Sequence, residues 1–431
     1  MKLDRHKVYF VIGAVAVVGS LSLAGHRLAA RGSEPSKKEA AIAAGNPSVP
    51  GMVTVHKPKY VRGIHLTSWV AGSSKLRATF DQLLDETEIN TVVIDIKEYE
   101  GEVYIPGVKL AEQYKTYVKA IPDLEKYVAR MKSRGIYTVA RVVVFKDNIF
   151  PRRKPSAGVK DAAGNLWKDR KGITWLDPYS PEAWSYNLDI AERALDLGFE
   201  EIQFDYIRFP SDGAIGNCRY SQHHSSTTAN TAIVGFLKEA NRRLKPRGAN
   251  ISIDVFGLTT TVTHDMGIGQ KMMEMAEWVD FLSPMVYPSH YAKGEYRIPD
   301  PNKAPYKTVY LSLEGAMKRL GAHGSKLRPY LQDFSLGYHY GAKEVRDQIQ
   351  AAYDNDIGEW LLWNPRCVYT RTALKGKEAE LTYEKKAPPA GMFPSLEQKA
   401  KKIAPPAAEL TAPTTAAHAA LNKSTTEQLS R

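Results

Sequence analysis

From about Tyr60 onward, short apolar runs alternate with stretches of helical periodicity. This is the pattern of strands that pair in parallel through helical crossovers. It predicts strands at residues 62–69 (RGIHLTSW), 89–97 (INTVVIDIK), 137–145 (YTVARVVVF) and 201–209 (EIQFDYIRF). Four more follow at 251–258 (ISIDVFGL), 279–287 (VDFLSPMVY), 327–334 (LRPYLQDF) and 359–364 (EWLLWN). Helices are expected around 76–87, 122–134, 181–197, 231–244, 269–276, 313–320 and 343–355, with Gly135 and Gly198 closing two of them. So many strand–helix steps in one run fit a closed (β/α)8 TIM barrel with some long loops. A doubly wound open sheet needs a glycine-rich first turn, which residues 67–75 (TSWVAGSSK) do not supply.

Alternation along a strand assigns faces. In the fourth strand Ile202, Phe204 and Tyr206 share the face toward the helices, leaving Gln203 and Asp205 inside. In the fifth, Ile251, Ile253 and Val255 point out, while Ser252 and Asp254 point in. In the second, Val92, Ile94 and Ile96 point out, with Asp95 and Lys97 inside, and Arg141 of the third strand lies inward. Charges inside a barrel must be paired or cost several kcal/mol each. A structural ion-pair layer accounts for Asp95, Lys97 and Arg141 as readily as a site does. Asp205 and Asp254 differ, because both precede strand exits at the C-terminal face, where barrel active sites sit.

Two inward carboxylates at one depth on neighbouring strands lie ~5 Å apart at Cβ. Like charges that close split their pKa values, leaving one acid and one carboxylate at neutral pH. A glycosidase uses such a pair, one group protonating the leaving oxygen and the other attacking or activating water. Asp205 and Asp254 are therefore the candidate catalytic residues. Asp95, Glu98, Asp333 and, further out, Glu100 are additional rim candidates. Trp69, Tyr99, Tyr206, Phe209, Tyr287, Tyr291, Tyr338 and Trp363 fall at or just after strand ends, where rings can stack on sugars. Arg208, Gln332 and Asn364 offer hydroxyl partners. Any single one of these aromatic residues is better explained by packing at the barrel mouth or the strand–helix interface.

The ends of the chain have a different character. Residues 8–25 (VYFVIGAVAVVGSLSLAG) form an uncharged, mostly apolar run of 18 residues behind the basic Lys2, Arg5 and Lys7. That reads as a signal anchor or signal peptide over residues 1–30, with an uncleaved anchor preferred and the barrel outside the cytoplasm. Residues 31–59, rich in Ala, Pro, Gly, Ser and Lys, read as a flexible linker to a barrel at 60–375. Residues 376–431, rich in Ala, Pro, Lys and Thr, read as a disordered tail.

The net charge of +12, from 59 basic and 47 acidic residues, comes without a basic block interleaved with aromatics, so nucleic acid is not an expected partner. The two cysteines, Cys218 and Cys367, exclude a thiolate metal site; they form a disulfide if exported and two buried thiols otherwise. No metal or cofactor is expected, since the first strand reads His65-Leu66-Thr67 and the other histidines form no strand-end ligand set.

Six segments carry a resemblance to a known family. They are residues 62–69 (RGIHLTSW), 90–97 (NTVVIDIK), 204–210 (FDYIRFP), 253–257 (IDVFG), 283–288 (SPMVYP) and 331–334 (LQDF). In this order they resemble the glycoside-hydrolase barrel domains known as domain of unknown function 4015, over residues 60–370. The resemblance implies a sugar site at the strand ends. α-Amylase-type barrels, a more distant likeness, carry Asp, Glu and Asp on strands four, five and seven, where this chain has Asp205, Asp254 and Asp333. The likeness implies Asp205 as nucleophile or base, Asp254 as acid and Asp333 as a substrate-orienting group. It departs at Gln203, where those barrels have Arg, and at Asp254, where they have Glu. The expected function is an extracytoplasmic glycoside hydrolase acting on a cell-envelope or secreted polysaccharide. The alternatives are a non-catalytic polysaccharide-binding or envelope-organising barrel and, with less in its favour, a metal-dependent hydrolase or deacetylase.

Overall fold

In the computed structural model, which describes residues 53–377, 382–386 and 388, eight parallel strands close on themselves in sequence order. They are β1 Arg62–Leu66, β2 Thr91–Lys97, β3 Tyr137–Val143, β4 Glu201–Asp205, β5 Asn250–Phe256, β6 Phe281–Met285, β7 Tyr330–Gln332 and β8 Trp360–Trp363. β8 returns to pair with β1. The connecting helices include Ser74–Glu86, Leu124–Ser133, Pro181–Asp196, Ser226–Leu244, Pro305–Leu320 and Ala342–Asp354. Local chemistry starts and stops them. Ser180 accepts from Ala183 N ahead of Pro181, and Ser225 forms a capping box with Thr228. Gly198, at φ +94°, turns the chain back toward β4.

The alternation along the strands separates two cores. Val92, Ile94, Ile96, Ile202, Phe204, Ile251, Ile253 and Val255 pack in the large cluster shared with the helices. Val93, Tyr137, Val139, Tyr330 and Leu361 belong to a smaller cluster that fills the barrel. Below it, the interior is polar. Arg328 and Glu201 are fully buried and paired, with Ser252 Oγ donating to Glu201 at 2.5 Å and Tyr137 Oη at 3.1 Å. Replacing Glu201 by Gln leaves the Arg328 charge buried without its counter-charge. The expected cost is ~3 kcal/mol in chemical denaturation, with turnover per folded molecule unchanged; a loss under ~1 kcal/mol would show that the pair is solvated.

Most strands stop before their apolar patterns do, β1, β4 and β6 among them. β1 ends at Leu66, β4 at Asp205 and β6 at Met285, so the expected strand end at residue 69 falls on the short helix Ser68–Gly72 and those at 209 and 287 lie in loops. After β8 the described residues hold one 3-10 turn, Arg371–Ala373. The chain beyond it still touches the barrel. Arg62 donates to Thr382 O, Tyr383 stacks on Tyr353, and Lys386 N donates to Asp354 at 2.5 Å. Residues 382–386, assigned to the tail by composition, thus pack on the domain through the Tyr383 ring, backbone bonds and an ion pair of Lys385 with Asp356 at 2.6 Å. At the other end Lys57, in the expected linker, pairs with Glu359. Cys218 and Cys367 are separate buried thiols, which leaves the disulfide alternative behind. Among the described residues no helix is long and apolar enough to cross a membrane. The apolar run at 8–25, most of the linker and nearly all of the tail lie outside those residues.

Candidate active site

At the C-terminal ends of the strands one guanidinium gathers four carboxylates. Arg141, inward on β3, donates from Nη1 to Asp95 Oδ1 at 2.6 Å and to Glu98 Oε1 at 2.7 Å. Its Nη2 meets Asp205 Oδ2 at 2.5 Å, and its Nε lies 3.2 Å from the same oxygen and 3.8 Å from Asp254 Oδ2. The register explains the convergence. Phe204 pairs with Ile253, so the next residues, Asp205 and Asp254, leave adjacent strands at one height and on the inner face.

Glu98 arrives by a different route. The β2–β3 register shifts between Asp95 and Lys97, so that Lys97 falls beside Val142, which packs toward the helices. This bulge reverses the parity. Lys97, expected inside, points out instead. It donates to Val143 O at 2.7 Å, pairs with Asp147 at 2.9 Å, and has the Tyr186 ring 5.6 Å away. The same slip turns Glu98 inward to Arg141.

Four carboxylates around one cation in a buried site cannot all stay ionised. Burial, then the charge of Asp205, pushes Asp254 well above the usual carboxylate range. Burial and the neighbouring Asp95 push Glu98 up to about 7, and burial also raises Asp95. His65 hydrogen-bonds Asp95 Oδ2 at 2.8 Å under the stacked Trp363 ring, 3.9 Å away. Burial and the Arg141 charge push it down to about 3, so the imidazole is neutral. His65, Asp95 and Glu98 place ligand atoms within 4.8 Å of one another. Arg141 already holds both of those carboxylates, however, and its positive charge opposes a divalent ion there.

A cavity of about 940 Å³ opens onto this cluster, with Arg141, Asp205 and Asp254 in its lining. That is near the top of the ~300–1,000 Å³ usual for ligand clefts. Its walls are largely aromatic: Tyr206, Phe256, Tyr287, Tyr291, Phe334 and Trp363. Tyr206 was expected against the helices. It takes φ +48° immediately after β4, a costly conformation for a side-chain-bearing residue, and lines the cavity while still packing against the outer core. Its N–H donates to Asp205 Oδ1 at 2.5 Å, steadying that carboxylate. Gly257 at the end of β5 keeps the cleft wall tight, since a Cβ there would come within 2.5 Å of Tyr291 Oη and 2.6 Å of Met285 O. Asp254 Oδ1 and Tyr287 Oη are buried without a hydrogen-bond partner among the described residues. Such atoms call for a polar group from a ligand.

Other sequence candidates lie elsewhere. Asp333 accepts from Thr370 N at 2.8 Å and Thr370 Oγ1 at 2.6 Å. It ties the segment after β8 to the barrel and is absent from the cavity lining. Gln332 is spent on Ser289 N at 3.1 Å and Phe334 O at 2.8 Å, fully buried. Asn364 bonds the backbone of Asp333 and Val368. Trp69 sits on the short helix Ser68–Gly72, 58% exposed and edge-on to Tyr104. Phe209 is buried among Tyr179, Tyr220 and His224. Each has the right position in sequence, but Asp333, Gln332, Asn364 and Phe209 are committed to protein partners, and Trp69 stands exposed outside the cavity lining. Conversely, the sequence pattern did not single out His65, Phe256, Tyr330 or Phe334 as site residues. The inward parity of His65 beside Asp95 was the one signal available.

Residues 63–369 match the family profile described as "Putative glycosyl hydrolase domain". Among solved structures, a hypothetical protein from Ruminiclostridium thermocellum is 32% identical over 44% of this chain and 97% of its own, with a TM-score of 0.41. The glycoside hydrolase domain of PgaB (BpsB) from Bordetella bronchiseptica is 13% identical over 73% of this chain and 99% of its own, with a TM-score of 0.54; that likeness is one of fold. No curated protein matches the chain. The family match spans the whole strand set from β1 to the residues after β8, including every carboxylate around Arg141, and the chain belongs to this glycosyl hydrolase domain family.

Proposed function

We propose that the barrel is a glycoside hydrolase in which Asp205 attacks the anomeric carbon and Asp254 protonates the leaving oxygen. The observation that carries this reading is the pair itself: two carboxylates from adjacent strands, in one cavity wall, within 4 Å of a single Arg141 nitrogen. Their environments differ as the chemistry requires. Asp205 accepts from the guanidinium and from a backbone N–H, whereas Asp254 has one oxygen without a partner and is driven toward its neutral form. Carboxylates on neighbouring strands fall near the ~5 Å of retaining glycosidases, short of the gap that a water needs in inverting ones. The aromatic walls suit the apolar faces of sugar rings. The substrate class is a cell-envelope or secreted polysaccharide, reached outside the cytoplasm by a chain held through residues 8–25. Arg208, Tyr287 and Trp363, in the cavity lining, are assigned to the ground around the substrate, and Asp95 and Glu98 to holding Arg141 beneath it.

The test is release of reducing ends from a panel of envelope and secreted polysaccharides, with the anomer of the first product read by NMR. Retained configuration supports the double displacement, and inverted configuration overturns the nucleophile assignment. Binding without cleavage of any polysaccharide transfers the protein to the alternative, a non-catalytic binding barrel.

The raised Asp254 pKa has a second consequence. A carboxyl whose pKa rises on folding stabilises the fold fully below its ordinary value of ~4, and that contribution is lost as pH climbs through the raised value. Asp254→Asn removes this loss. Above neutral pH it is therefore expected to raise the melting temperature while cutting turnover ~10²–10⁴-fold. In the parent protein kcat/KM falls on the alkaline side as the acid deprotonates. A variant that melts lower than the parent at pH 8 would place an ionised carboxylate at position 254.

A further inference from the structure

We infer that the cavity binds an acidic glycan, with Arg208 receiving a sugar carboxylate; this rests on the cavity being the glycan site proposed above. Arg208 follows β4 and lines the cavity at 4% exposure. The other strongly buried guanidinium groups have carboxylate partners: Arg62 has Glu88, Arg141 has its cluster and Arg328 has Glu201. Among the described residues Arg208 has no carboxylate within ion-pair distance. Asp205, Asp212 and Asp169 favour its charge only at longer range, and burial, the larger effect, pushes it below the usual arginine value.

The geometry of its hydrogen bonds specifies the missing partner. Both leave from Nη1, to Phe209 O at 3.0 Å and to Ser211 Oγ at 3.1 Å. The Nε–Nη2 edge, which grips a planar carboxylate at two points, has no protein acceptor among the described residues. Three rings fix the guanidinium plane, with centroids 4.9 Å away for Trp175, 4.9 Å for Tyr206 and 4.6 Å for Phe256. Cation–π contacts replace part of the lost hydration, but a rigid, buried and uncompensated cation is costly to maintain in an apolar wall. A neutral hydroxyl needs only a neutral donor, and many side chains supply one more cheaply. Arg366, also in the lining, adds a second positive charge with no ion-pair partner among the described residues.

The experiment measures binding of D-glucuronate, D-galacturonate and D-mannuronate against glucose, galactose and mannose, by NMR titration of the full chain. At least one uronate is expected to bind ten-fold or more tighter than its neutral counterpart, with a preference that shrinks as salt rises. Arg208→Gln is expected to abolish the preference and Arg208→Lys to retain part of it. If Arg208→Gln fails to fold, Arg208→Lys and the salt dependence decide. Equal binding within all three pairs, no binding of any uronate, or a preference that survives in the folded Arg208→Gln protein overturns the inference. The hydrolase reading fails separately. Asp205-dependent cleavage of a neutral polysaccharide alone keeps that reading and sinks this one. Arg208-dependent uronate binding with no cleavage of any polysaccharide does the reverse.

Discussion

Asp205→Asn is expected to lower turnover by about 10³-fold or more while leaving glycan affinity within a few-fold of the parent. The amide preserves shape and still accepts from the Tyr206 N–H, but it lacks the negative charge needed to attack or to stabilise an oxocarbenium-like carbon. Because Arg141 Nη2 and Nε both bond this side chain, the variant loses a charge-assisted contact as well. Some loss of stability accompanies the loss of turnover. The measurement is kcat and KM on the cleaved polysaccharide, with isothermal titration for affinity. Retained turnover would move the nucleophile to another carboxylate of the cluster, and loss of affinity in step with turnover would make Asp205 a binding residue.

Arg141→Met is the substitution expected to cost most in stability, ~3–5 kcal/mol, the usual consequence of removing one partner from a buried ionic group. It strips the cation that Asp95, Glu98, Asp205 and Asp254 share. The sign of the pH dependence follows from that. Without Arg141 the raised pKa values of Asp95, Glu98 and Asp254 climb further on folding. The destabilisation is therefore smaller at about pH 3, where the unfolded carboxyls are largely protonated too, and grows as pH climbs toward 8. Urea denaturation at both pH values tests this. An equal loss at the two would assign Arg141 a packing role through its contact with Trp363, whose ring lies 5.0 Å from the guanidinium carbon.

Both predictions hinge on a cluster that parity only half revealed. Inward placement of Asp95, Arg141, Gln203, Asp205, Ser252 and Asp254 could be read from apolar alternation, because a strand buried on both faces still separates core-facing from barrel-facing positions. Glu98 and Lys97 were interchanged by a one-residue bulge, and no residue type in the run IDIKEYE marks where a parallel ladder slips. Asp333 and Gln332 have suitable spacing near a strand exit. Their commitments are to Thr370 and to Ser289, residues that parity along β7 says nothing about. Tyr206, at a positive φ just after β4, both packs against the outer core and lines the cavity, which parity alone does not indicate.

The order of apolar runs and helical stretches thus determined the closed barrel, the pairing order and the depth at which Asp205 and Asp254 emerge. These are consequences of local periodicity and of short connections between neighbours. Tertiary structure alone decided how many carboxylates one cation gathers, which of them are driven to hold protons, and that Arg208 faces the cavity without a counter-charge among the described residues. Those properties depend on distance and desolvation among residues dozens of positions apart. Coulomb energy in a buried site changes by several kcal/mol over a few ångströms, a scale that residue order does not encode.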